Sequence, residues 1–276
     1  MRRPPPDAED PELARLLDDI LQRYHHDFRD YATASLKRRL AVAAGRLGCD
    51  GLPALRARLA RDESLFSHLL EAMTVQVSEM FRDPAYFLAL RRQAVPVLQT
   101  FASLKLWVAG CSTGEEAWSL AILLREEGLL ERALIYATDI NPWALRVAEA
   151  GIYPEERMAG FTESHRLAGG HGSLSEHYTA AYGRARLDPA LRRHLVFSDH
   201  SLATDQVFSE VQLVSCRNVL IYFNRRLQDR ALGLFADALC HHGFLGLGAK
   251  ETVRFTSHEA VFEPCDAAAR LYRKLG

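Results

Sequence analysis

"KLWVAGCSTGEEAWSLAILL", residues 105–124, decides how the rest of this sequence is read. An apolar run reaches small residues at Gly110-Cys111-Ser112-Thr113-Gly114. A second apolar run, rich in good helix formers, follows Glu115 and Glu116. The pattern is strand, tight loop, helix. It repeats down the chain: "ALIYATD" at 133–139, "HLVFSD" at 194–199 and "VQLVSC" at 211–216 are further short apolar runs, each ending at a polar or small residue. Helical stretches lie between most of them. That alternation predicts an α/β fold with a parallel sheet and crossover helices. Upstream, from Glu12 to about Phe87, the pattern is helical throughout; Leu13, Leu16, Leu17, Ile20 and Leu21 form one stripe at helical spacing. Residues 153–193 are more than one helix needs, and "LAGGHGSLS" followed by "HYTAAYGRARL" predicts an inserted subdomain with an antiparallel hairpin. Near the end, "RLYRKL" is expected to close the sheet as an edge strand.

Composition limits the possibilities. The 276 residues are 48% hydrophobic and 25% charged, with a formal net charge of -1. These are the proportions of an ordinary globular protein, without the basic footprint of a nucleic-acid binder. No apolar run is long enough to span a bilayer, and the proline-rich lead-in over residues 1–11 lacks the apolar core of a secretory signal. The five cysteines are scattered, with no C-x-x-C pair, which fits a cytoplasmic protein without a disulfide framework. The eleven histidines show no metal-ligand spacing, so no metal is expected.

In open parallel sheets, ligands bind beyond the carboxyl ends of the strands. The first loop, Gly110 to Glu116, lacks both the Lys-Ser/Thr ending of a P-loop and the G-x-G-x-x-G of a dinucleotide site. Two carboxylates at a helix start suit the helix dipole. They would repel a pyrophosphate and attract an ammonium or sulfonium; plain helix capping is the competing account. Asp139 ends the second strand, where an acid can accept both ribose hydroxyls; an N-cap of the next helix is the alternative. Together the two elements describe an adenosine-type site suited to S-adenosylmethionine rather than NAD. After the fourth strand, Arg217 and Asn218 could orient a carboxylate, or be a surface arginine and a capping asparagine.

"GCSTGEE", "ATDIN", "SCRNVLIYF" and a C-terminal "YRK", in this order behind a helical N-terminal part, resemble the chemotaxis receptor methyltransferases, the CheR family. The resemblance implies an S-adenosylmethionine-dependent methyltransferase (Rossmann-like) doubly wound sheet with an inserted small antiparallel β-subdomain, preceded by a small all-helical N-terminal domain. Boundaries are expected at 12–72 for the helical domain, 73–88 for a linker reaching the cofactor, and 89–276 for the methyltransferase domain. The implied activity is methylation of glutamate side chains on cytoplasmic receptor helices, leaving S-adenosylhomocysteine. Gln76, Ser78 and Arg82 would line the cofactor pocket from the linker, with Gly110 in the loop. Glu115 or Glu116 would hold the methionine end, Asp139 the ribose, and Ser201 and Leu202 the adenine. Cys216, Arg217 and Asn218 would close the site. Arg82, Arg217 and Tyr222 would face the incoming glutamate, and Cys111 and Cys216 would be packing residues rather than nucleophiles.

The linker "TVQVSEMFRD" and the segment "HSLATD" depart from the family pattern, placing Gln76, Ser78, Met80 and Ser201 where other residues are usual. A basic run, Lys37, Arg38 and Arg39 with Arg46 beyond, either steers an acidic receptor helix or is a solvated face. A monomer is expected, without nucleic acid or membrane insertion. The other readings are a cofactor-binding but non-catalytic signalling partner, or a methyltransferase for another acceptor.

Overall fold

The computed structural model describes residues 10–275, and most of the lead-in expected at 1–11 lies outside them. The chain divides into two units. One comprises the residues up to Val75 together with Tyr222–Leu227; the other comprises Gln76–Ile221 and Gln228 onward.

The first unit is helical: α1 (Pro11–Tyr24), α2 (Thr33–Arg46), α3 (Gly51–Leu59) and α4 (Leu65–Met73). Asp10 caps α1, its carboxylate accepting the N–H groups of Glu12 and Leu13, and Pro11 takes the first helical position, where no N–H is missed. Leu13, Leu16, Leu17 and Ile20 are buried, as the helical stripe predicts. The segment Tyr222–Leu227 is stitched to this unit. Phe223 pairs with Tyr31 in an antiparallel bridge, Ala32 N–H donates to the Tyr222 carbonyl at 2.8 Å, and Asp30 accepts from Asn224 at 2.9 Å and pairs with Arg226.

The helical pattern does not run unbroken to Phe87. Residues 74–83 are irregular, Phe81 and Asp83 have positive φ (53° and 55°), and helix resumes at Pro84. Pro84 disfavours a helical conformation for the residue before it.

In the second unit α5 (Pro84–Ala89) runs through a π turn into α6 (Val95–Leu98). The chain then alternates as β1 (Leu104–Ala109), α7 (Glu115–Glu126), β2 (Ala133–Asp139), α8 (Pro142–Ala150), β3 (Ile152–Pro154), α9 (Met158–Leu167), β4 (Tyr178–Ala181), β5 (Arg184–Leu187), α10 (Pro189–Arg192), β6 (Leu195–Asp199) and β7 (Val211–Cys216). The helix α11 (Arg225–Ala238), whose first residues belong to the helical unit, leads to β8 (Leu239–Leu247), β9 (Phe262–Asp266) and β10 (Leu271–Lys274). The main sheet has seven strands in the order β6-β2-β1-β7-β8-β10-β9. Strands β6, β2, β1, β7 and β8 are parallel; β10 and β9 are antiparallel additions. All four strand expectations of the parallel part are met. "RLYRK" is a strand but not the edge: β9 flanks it outside. A second sheet, β3-β5-β4, is the inserted antiparallel element.

The strands of the main sheet read as near-continuous apolar runs because both faces are covered. Val108, Ile135, Leu213 and Phe244 from the sheet, Trp118 and Ile122 from α7 and Phe87 from α5 share one core. The chain builds outward from β1 through β2 to β6, then crosses back to β7 on the other side of β1. That reversal opens the crevice beyond the ends of β1 and β7.

Candidate active site

The loop after β1 is tied down from several sides. Gly110 and Cys111 both donate N–H to the Thr138 carbonyl at 2.8 Å, and Ser112 N–H donates to Asp139 Oδ2 at 2.8 Å. Ser112 Oγ donates to Gln76 Oε1 at 2.6 Å, and Tyr153 Oη to the Thr113 carbonyl at 2.8 Å. Gly110 and Gly114 hold φ of +76° and +92°. A Cβ on Gly114 would lie 2.6 Å from Ala148 Cβ, so this turn is open to glycine alone.

The two glutamates have separate duties. Glu115 is fully buried; Arg157 pairs with it at 2.8 Å and Thr113 Oγ1 donates to it at 2.6 Å. Its neighbour Ser119 accepts the Phe81 N–H at 2.8 Å and so anchors the linker to α7. Glu116 is partly exposed. It accepts from Ser215 Oγ at 2.6 Å and from Arg217 Nη1 at 3.1 Å.

Asp139 does not cap α8. Asn141 does, accepting the N–H groups of Trp143 (3.0 Å) and Ala144 (3.3 Å), with Pro142 at the first helical position. Asp139 instead gathers the N–H of Ser112 on one oxygen and of Asn141 (3.0 Å) on the other. Burial pushes its carboxyl above the ordinary aspartate value, the N–H groups pull it down, and Asp199 adds a smaller upward push. A third backbone N–H, of Ile140, also reaches the carboxylate, which keeps lone-pair capacity for a hydroxyl.

Arg217 differs most from expectation. Its side chain is 1% exposed. Nη2 donates to the Arg82 carbonyl at 2.8 Å and to Asp83 at 2.7 Å, Nη1 reaches Glu116, and the guanidinium lies 4.3 Å over the Tyr86 ring. A guanidinium so enclosed does not face an incoming carboxylate; it clamps the linker to the ends of β7 and α7. Arg82 is the contrasting case. It is half-buried, donates to the Val77 carbonyl at 3.1 Å, and forms no ion pair among the described residues.

The remaining expected residues are spread around this centre. Ser78 offers its carbonyl to Arg157. Ser201 spends its groups on its own turn, its N–H donating to Asp205 at 2.9 Å and its Oγ accepting from Ala203; Leu202 is buried. Cys111 and Cys216 are buried with thiols pushed well up by desolvation, as suits packing residues. Tyr222 belongs to the helical unit, with Arg39 4.9 Å over its ring, while Lys37, Arg38 and Arg46 are exposed on α2.

Tyr86, Tyr153, Arg157 and Glu251 stand in no motif that would have singled them out, and Ser215 reads only as part of a strand. The buried carboxylate of Glu251 accepts the N–H groups of Gly248 (2.6 Å), Asn218 (2.9 Å) and Ile221 (3.2 Å). It thereby fixes the turn after β7, where Asn218 has φ +61°.

The site has what an adenosyl cofactor with a cationic amino-acid tail requires: a glycine turn, a strand-end acid with spare acceptor capacity, and a partly exposed carboxylate. The comparisons with known proteins agree. The CheR methyltransferase, SAM binding domain matches residues 76–270, and the CheR methyltransferase, all-alpha domain matches 11–74. The Pseudomonas putida protein Cher3 is 56% identical over 96% of this chain and 97% of its own. A chemotaxis protein methyltransferase of Listeria innocua is 31% identical over 71% of this chain and 72% of its own. Chemotaxis protein methyltransferase 2 of Pseudomonas aeruginosa is 32% identical over 68% of each chain. Among the described residues no helix is long and apolar enough to cross a membrane. S-Adenosylmethionine is therefore the cofactor, and the chain belongs to the CheR family of chemotaxis methyltransferases.

Proposed function

We propose that the chain methylates the side-chain carboxylate of glutamates on the cytoplasmic helices of chemotaxis receptors, giving methyl esters. Arg82 carries this reading: it is a half-buried guanidinium without an ion pair among the described residues, on the linker that also reaches the cofactor loop through Gln76. The acids of the site, Glu115, Glu116 and Asp139, are engaged with Arg157, Arg217 and the Ser112 N–H, so none of them is spent on Arg82.

The bound sulfonium supplies an activated methyl group. The acceptor is ionised at neutral pH and has no proton to surrender, so no general base is required. The protein's work is alignment. Arg82 holds one acceptor oxygen and leaves the other free to attack. Arg217 acts at one remove, fixing the Arg82 carbonyl and Asp83.

In this proposal Glu116 takes the ammonium end, because Glu115 is fully buried. Asp139 takes the ribose, Gly110 lets the backbone approach, and Gln76 and Ser78 wall the pocket from the linker. Ser201 and Leu202 border the adenine, and Cys216, Arg217 and Asn218 close the site. Tyr222 and the basic residues Lys37, Arg38, Arg39 and Arg46 meet the acidic acceptor helix.

The test is methyl transfer from labelled S-adenosylmethionine to receptor cytoplasmic fragments. Base-labile label mapped to glutamate supports the proposal. Cofactor binding without transfer to any receptor fragment overturns it in favour of a non-catalytic signalling role, and base-stable label points to another acceptor.

A further inference from the structure

The fold brings together three residues that sequence spacing keeps apart. Glu126 ends α7, His165 lies in the last turn of α9, and His177 closes the turn before β4. Glu126 Oε1 is 2.6 Å from His165 Nε2 and 3.4 Å from His177 Nε2, and the three donor atoms lie within 4.8 Å of one another. All three side chains are more than nine-tenths buried, at 4%, 2% and 8% exposure.

Arg91 pairs with both Glu126 and Glu127, so one guanidinium is shared between a buried carboxylate and a partly exposed one. Both imidazoles address the same carboxylate oxygen, His165 at hydrogen-bond distance, so the three donor atoms converge on one point and a small separation of His165 from Glu126 would admit an ion. The other oxygen is held by Arg91, whose Nε is itself fixed to the Ala168 carbonyl at 3.1 Å. The glycine-rich turn covers the cluster. A Cβ at Gly170 would lie 2.1–2.4 Å from three atoms of the His165 ring, so this backbone packs where no side chain fits.

The geometry points to Glu126, His165 and His177 as the ligands of one zinc-class divalent cation. Two imidazoles and a carboxylate favour zinc or its neighbours over magnesium or calcium. Three protein ligands leave a fourth position for water. The ion would tie α7, α9 and the entry to the small sheet together, behind the linker: the His165 ring packs edge-on against Phe81, 4.9 Å between centroids. The proposal is independent of the acceptor.

The test uses tag-free, chelator-stripped protein. Zinc content after reloading is measured by mass spectrometry, and cobalt(II) serves as a spectroscopic probe. About one ion per chain is expected, with the visible bands of four-coordinate cobalt. His177→Gln should weaken zinc by more than about 100-fold, beyond the loss typical of an outer-shell partner, while keeping S-adenosylhomocysteine binding as evidence of folding. His177→Cys, which restores a ligand, should retain the ion and add a thiolate-to-cobalt absorption band. That variant keeps the question answerable if the glutamine variant does not fold. Zinc uptake no greater in the wild type than in His177→Gln, or cobalt spectra identical in wild type and His177→Cys, would overturn the assignment.

Discussion

Replacing Arg217 by methionine separates two roles that the sequence could not distinguish. If the guanidinium faces the acceptor, its loss should abolish turnover and leave stability alone. The structure requires the reverse order of effects. Methionine fills much of the space over Tyr86 but leaves Glu116, whose side chain is 13% exposed, with Ser215 alone, and deprives the Arg82 carbonyl of its donor. Breaking a buried pair costs about 3–5 kcal/mol. Asp83 is 44% exposed and its share is discounted for screening, so the low end, about 3 kcal/mol, applies. At roughly 2–4 °C per kcal/mol for a unit of this size, the midpoint should fall by roughly 6–12 °C. Arg217→Lys should lose about half as much, because an ammonium keeps the charge but cannot span three acceptors as the fork does. A cycle with Glu116→Gln should show coupling of roughly 1–3 kcal/mol. The assay is thermal unfolding of cofactor-free protein beside single-turnover methylation. A methionine variant melting within about 2 °C of wild type while turnover collapses would refute the clamp and return Arg217 to the acceptor.

Arg82→Ala should behave oppositely, with little change in midpoint, S-adenosylhomocysteine still bound and methyl transfer down by about 100-fold or more; unchanged transfer would remove Arg82 from the acceptor. Asp139→Ala should weaken S-adenosylhomocysteine by roughly 10–100-fold in calorimetry, the worth of hydrogen bonds to a charged group; equal affinity would place the ribose elsewhere. Asp139 also sets a pH signature. Its carboxyl is raised in the fold by burial, so the folded state holds that proton more tightly than the unfolded chain does. The resulting stabilisation is complete below the unfolded value, about 3.9, and disappears as pH rises through the higher folded value. Asp139→Asn cannot titrate, so the stability of wild type relative to this variant should decline as pH increases across that window; a rise would contradict the burial argument. Gly114→Ala should cost at least about 2 kcal/mol, because the new Cβ meets the Ala148 backbone at 2.8 Å and φ is +92°; a wild-type midpoint would mean that the turn has another conformation open to it.

The parallel strands were legible because their signal is local. Each is a short apolar run that stops at a polar residue, and a sheet covered on both faces needs nothing more. The outer strand β9 was missed for a physical reason: "FEPCD" carries charge and a proline, which edge strands tolerate and central ones do not. Asn141 could have been chosen over Asp139 as the cap, since Pro142 fixes the first helical position and hence the residue before it. Arg217 could not have been placed. The letter is the same whether the side chain is exposed or enclosed, and its partners Asp83, Tyr86 and Glu116 come from remote parts of the chain. Glu251 and the Glu126 cluster were hidden likewise, for their partners are backbone N–H groups, which carry no sequence signal, or histidines brought in by later elements of the chain.

The strip Tyr222–Leu227 has a consequence for synthesis. The helices at the front of the chain include in their unit a piece that leaves the ribosome only after β7 has been made. Until then Tyr31 lacks its bridge to Phe223, and Asp30 lacks Asn224 and Arg226. The helical unit precedes β7 in the chain yet is completed only after it. Cutting the gene between Val75 and Gln76 would yield two fragments, one missing its closing strip and the other carrying that strip with nothing to close.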